Sequence, residues 1–147
     1  MPAEGETVPL YLGKGDPRLN GYYPVWLDNL ADDVTVEGSL LEGVVQGAEA
    51  VRSVLAAVRS FYDRQELRFA GPYGDNGFLE DYVSEVRGHP LGCVVLITSN
   101  AAGQTQHIIA SYRPRSSLLF FSLLLEEKFE GTAIGKHLAS GKTDAFV

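Results

Sequence analysis

The sequence predicts a single α+β domain, and three observations carry that reading. An amphipathic helix is written into residues 50–58, with apolar side chains at spacings of three and four. Four strand-like runs follow between residues 66 and 113, separated by turn residues, in the pattern of an antiparallel meander. The chain has 147 residues, 45% hydrophobic and 21% charged, which suits one packed core and excludes a disordered chain.

In chain order, residues 1–23 read as an arm rich in Gly and Pro, with at most a short helical turn. Pro24 suits the first turn of a helix, where its missing N–H costs nothing, and Trp26 and Leu30 would share one face of that helix. Residues 34–36 form a short β-branched strand ending at Gly38, and residues 44–45 a second, closed by Gly47. In the long helix, Ala50, Val51, Val54, Leu55 and Val58 line one stripe, with Arg52 and Arg59 outside it. A strand over 66–73 enters the turn Gly74-Asp75-Asn76-Gly77, and a strand over 78–87 leaves it. Gly88-His89-Pro90 breaks the chain before 93–98, a continuous apolar run expected to be buried on both faces. Asn100-Ala101-Ala102-Gly103 turns into a last strand over 104–113. Residues 118–125 hold seven large apolar side chains in eight positions. With Ser116-Ser117 as a cap and Gly131 as a stop, 118–129 reads as a buried or partnered helix, with a final strand as the alternative.

Composition narrows the function classes. Net charge is −7, all of it from residues 1–49, which hold nine acidic and two basic side chains. Such a chain repels phosphate backbones, so no nucleic-acid partner is expected, and the acidic first third reads as a solvated face. The single cysteine, Cys93, excludes an intramolecular disulfide and a cysteine zinc site, and its apolar surroundings mark an inert core thiol. His89, His107 and His137 lack short ligand spacing, so no metal is expected. Phosphate-loop and nucleophile-elbow motifs are absent, and no cofactor is expected. The first residues lack the basic and apolar segments of a signal peptide, and 118–125 is too short to span a bilayer. A cytoplasmic location without membrane contact is the expectation.

The stretches Leu30-Ala31-Asp32-Asp33-Val34-Thr35-Val36-Glu37-Gly38, Val44-Val45-Gln46-Gly47-Ala48-Glu49-Ala50-Val51 and Asn100-Ala101-Ala102-Gly103-Gln104 resemble the nuclear transport factor 2 superfamily, in its SnoaL-like and ketosteroid-isomerase-like branch. The resemblance covers about residues 24–113, leaving the arm at 1–23 and a tail at 114–147 that belongs to the same domain or to its dimer interface. It implies a curved antiparallel sheet wrapped around helices into a cone with an internal apolar pocket, the cystatin-like roll. It also implies that ketosteroid isomerisation is not run here. The family's base position matches Gly38 and its oxyanion acid matches Val95, and neither side chain can hold a proton; Tyr11, Tyr22 and Tyr23 lie near the third position without matching it.

Strand alternation then selects what faces the pocket. Carried onto this chain, it turns Phe78, Glu80, Tyr82, Ser84 and Val86 inward with Cys93, Val95 and Ile97, and Gln106, Ile108, Ala110 and Tyr112 inward on the last strand. Asp81, Glu85 and His107 point out. Glu80 is the expected acid–base group, because an apolar pocket disfavours its ionised form and lifts its pKa. Tyr82 is the expected donor to a substrate oxygen, and His107 is the competing acid–base candidate. Trp26, Leu55, Tyr62, Val95, Ile97 and Tyr112 are expected to bind the ligand.

The predicted function is binding of a small, mostly apolar molecule, with cofactor-independent isomerase, lyase or hydrolase chemistry where turnover occurs. The alternative is a non-catalytic dimeric interaction or ligand-binding module. A homodimer through 118–125 is expected in either case.

Overall fold

The structure, a computed structural model, describes residues 12–138. Tyr11 lies outside the described residues. Two short 3-10 turns, Pro17–Leu19 and Val25–Asp28, precede strand β1 (Leu30–Gly38), the two-residue β2 (Val45–Gln46) and helix α1 (Ala48–Phe61). A four-stranded meander follows: β3 (Arg64–Tyr73), β4 (Gly77–Val86), β5 (His89–Ser99) and β6 (Thr105–Arg113). Helix α2 (Arg115–Phe129) and a 3-10 turn, Ile134–Leu138, complete the described chain.

The six strands make one curved sheet in the order β2-β1-β6-β5-β4-β3. It is mixed rather than wholly antiparallel, because β1 runs parallel to β6 with Thr35 opposite His107 and Val36 opposite Ile108. The remaining pairs are antiparallel. Register shifts between Leu67 and Phe69, between Thr98 and Ser99, and between Leu30 and Thr35 interrupt the ladder. Irregularities of this kind bend a strand and sharpen its twist, which lets the sheet wrap.

The concave face closes over α1 and α2. Val51, Val54 and Val58 of α1 and Phe121, Leu124, Leu125 and Phe129 of α2 meet Val36, Val95, Ile97 and Ile108 of the sheet in one core. The arm contributes as well, since Leu19 is fully buried in the same cluster. The tail is a helix, so the strand alternative is set aside; α2 starts after Pro114 with no side-chain cap, not on the serine pair. Leu119 and Leu123 stay exposed on its outer side.

Three local expectations are corrected. Leu30 opens β1 instead of sharing a helix with Trp26, because the turn at Val25–Asp28 is only four residues long. Pro90 does not break the sheet; β5 begins at His89, pairing with Val86, and a proline is tolerated near a strand start. The apolar run of β5 is buried on one face only, with Val94 and Leu96 half-buried on the convex side.

Candidate functional site

A cavity of about 60 Å³ lies between the concave sheet face and the helices. Its wall is mostly aliphatic, and its polar members are Glu80, Arg59, Tyr82, Tyr112, Glu37 and the indole of Trp26. Ligand pockets usually span roughly 300–1,000 Å³, so side chains fill most of this cone.

Glu80 sits on β4 opposite Ala70 of β3 and Val95 of β5. The alternation of β4 turns it inward, where it is 3% exposed. The Tyr22 hydroxyl donates to its Oε2 at 2.5 Å, and Trp26 Nε1 donates to the same oxygen at 2.9 Å. Oε1 has no hydrogen-bond partner among the described residues. Burial pushes the Glu80 pKa above the usual carboxylate value, against the Tyr22 and Trp26 hydrogen bonds and the nearby Arg59 charge, which all favour the ionised form. The result is a carboxyl anchored through one oxygen and uncommitted at the other.

A second polar group lies beside it. Tyr82, Cys93 and Tyr112 stand in register on the inner faces of β4, β5 and β6. Tyr62, at the end of α1, lowers its hydroxyl between the other two, 2.5 Å from Tyr82 and 2.8 Å from Tyr112. Three hydroxyls share two hydrogen bonds, so one O–H proton is left for Cys93 or for a cavity occupant. Burial raises the pKa of all three phenols, and pushes the Cys93 thiol up to about 12. All four groups are therefore neutral donors near pH 7. The inert character expected of Cys93 agrees with its depth.

The other sequence candidates divide. Leu55, Val95 and Tyr112 line the cavity with Trp26. Tyr62 is fully buried behind Tyr82 and Tyr112 and does not line it, and neither does Ile97, which packs in the core. His107 faces the opposite side of the sheet. There it bonds the Thr35 hydroxyl through Nδ1 and meets Glu37 Oε2 through Nε2 at 3.0 Å. The sheet lies between it and Glu80. At Gly38, where the family's base would stand, a Cβ would overlap the carbonyl oxygen of Ala110, so the close packing of β1 on β6 leaves room for no side chain.

Arg59 is the member that sequence reasoning missed. It is 8% exposed, with Nε bonded to the Leu12 carbonyl at 2.5 Å and Nη2 to the Tyr22 carbonyl at 2.9 Å. Its spacing held a signal: it lies four residues after Leu55 and eight after Val51, on the edge of the apolar stripe. Tyr22 was reached only through the resemblance, as one of three tyrosines near the third position, because nothing local in a Gly-rich arm says where it lands.

No family model matches the chain, and no curated protein matches it. Solved structures do. An uncharacterised protein with a cystatin-like fold from Silicibacter pomeroyi superposes with a TM-score of 0.69 at 20% identity, covering 83% of this chain and 82% of that one. A steroid delta-isomerase from Pseudomonas aeruginosa gives 0.65 at 16% identity over 69% of this chain and 75% of that one. An NTF-2 like protein of unknown function from Burkholderia xenovorans gives 0.51 at 16% identity over 61% and 73%. At these identities the likeness is one of fold, and the fold of this chain is the cystatin-like, NTF2-like cone that its sequence motifs resemble.

Proposed function

We propose that the protein binds a small, mostly apolar molecule in its cone and moves a proton on it with Glu80, without a cofactor. The observation that supports this most is the asymmetric anchoring of Glu80. Two donors hold Oε2 and leave Oε1 uncommitted on a cavity wall. A buried carboxyl with a raised pKa can take a proton from a C–H and return it to another atom. The spare tyrosine proton, from Tyr82 or Tyr112, would bond the substrate oxygen that gains charge. Isomerisation and elimination both fit this pair of roles. The cavity of about 60 Å³ is well under the roughly 150 Å³ that benzene fills, so a molecule even of acetone size enters only where the wall side chains move.

A second reading is a dimeric module without turnover. The filled cone favours it, as do Leu119 and Leu123, 47% and 54% exposed on one side of α2. Self-association through that side fits both readings. The buried free thiol of Cys93 fits a reducing, cytoplasmic setting, and no helix among the described residues is long and apolar enough to cross a membrane. We treat 24–113 as the cone, with the arm and tail packed onto it.

Deuterium exchange into the methyl groups of acetone in D2O, followed by proton NMR, separates the readings. Acid–base function requires exchange faster than buffer that is lost in Glu80→Gln. Equal rates for buffer, wild type and variant would leave only the binding module.

A further inference from the structure

Trp26 belongs to two hollows at once. It lines the cone cavity of about 60 Å³, and it lines a groove of about 380 Å³ outside the cone. Tyr22, Tyr23, Pro24, Val25 and Phe78 make the apolar wall of that groove, and no charged side chain lines it. The cone alone is too small for a ring-sized molecule, whereas the groove falls in the roughly 300–1,000 Å³ usual for ligand sites. One half-buried indole stands between the two.

The backbone at Trp26 is pinned. Its carbonyl accepts from Thr105 Oγ1 at 3.0 Å and from the Asn29 N–H at 3.3 Å. The ring is held less firmly. Its polar tie is the bond from Nε1 to Glu80 Oε2 at 2.9 Å, and no other ring or cation stacks on it among the described residues. Breaking one hydrogen bond has a small net cost when the freed N–H finds water in an open groove. Tyr22 still donates to the same Glu80 oxygen, so the carboxyl keeps a partner when the indole leaves. An indole is larger than a benzene ring, so turning it outward enlarges the hollow toward the roughly 150 Å³ that holds benzene.

We propose that Trp26 is a gate: its indole turns from Glu80 into the groove and lets the cone take a neutral, ring-sized apolar molecule. The inference rests on the reading of the cone as a binding site, and it names the size and charge of the ligand. Ring size follows from the displaced indole. Neutrality follows from the uncharged groove and from the cavity wall, where Arg59 already lies near the Glu80 carboxyl.

The chain has a single tryptophan, so its emission reports the gate alone. Benzene is the probe, titrated into the wild-type protein by calorimetry and by fluorescence excited where tyrosine does not absorb. Benzene is expected to bind, to shift the emission to the red and to increase quenching by acrylamide, because the indole moves toward water. Trp26→Ala should bind benzene up to about tenfold tighter, the equivalent of the one hydrogen bond no longer broken. The wild-type emission stands as a test by itself where that variant does not fold. A blue shift with less quenching would place benzene in the groove over a closed ring and overturn the gate. No binding to wild type, or binding with emission and quenching unchanged, would overturn it too. The outcomes separate it from the acid–base reading. Glu80-dependent acetone exchange in a protein whose indole stays shielded removes only the gate, and release of the indole without exchange removes only the chemistry.

Discussion

Trp26 Nε1 donates to Glu80 Oε2 at 2.9 Å, joining a short turn of the N-terminal segment to the middle of the sheet. The residues are 54 positions apart, and Tyr22 reaches the same oxygen from the same segment. The segment before β1 therefore completes the candidate site: Tyr22 of the arm and Trp26 of the turn after it orient the carboxyl, while Arg59 of α1 holds the arm by the carbonyls of Leu12 and Tyr22.

Glu80→Gln should change how stability depends on pH. Because burial raises the folded-state pKa of Glu80, the stability it contributes is present below the ordinary carboxylate range and is lost as pH rises through the raised value. A glutamine carbonyl oxygen can accept from Tyr22 and Trp26 without ionising. Thermal melts from pH 4 upward should show the variant gaining on wild type as pH rises; parallel curves would mean that Glu80 is not destabilised by ionisation.

Tyr62→Phe should cost about 1–3 kcal/mol, because it leaves the buried Tyr82 and Tyr112 hydroxyls without their common partner. Urea unfolding measures it. A neutral effect would indicate that Cys93 takes over both bonds.

Phe121→Ala should cost about 3–5 kcal/mol, since the ring is fully buried and packs edge-on against Phe61 and Tyr112. That is a large part of the usual stability of a domain. A small loss in chemical denaturation would show that α2 is loosely docked.

His107→Ala should leave ligand binding and acetone exchange unchanged and alter stability by about 1 kcal/mol or less, because its contact with Glu37 is partly solvated and the ring lies on the other face of the sheet from Glu80. A loss of exchange comparable to that in Glu80→Gln would transfer the acid–base role to His107.

Leu119→Glu combined with Leu123→Glu should convert a dimer to a monomer if α2 is the contact, by placing charge on the two exposed leucines. Light scattering at micromolar concentration reads this directly, and a monomeric wild type would remove the proposal of self-association.

Alternation along β4 was legible from residues alone. A period of two, pinned by the turn before it, puts Glu80, Tyr82, Ser84 and Val86 on one face, and all four are buried. The stripe of α1 was legible for the same reason, and so was the resemblance of the strand and turn motifs to the cone fold. Local periodicity reports which side of an element avoids water. It does not report what meets that side. Tyr22 and Trp26 converge on Glu80 across more than fifty residues, Arg59 turns from the edge of its stripe into the core, and β6 lies parallel to β1. The size of the hollow is likewise a difference between the space a bent sheet encloses and the volume of side chains from every element, so only their packing together could set it.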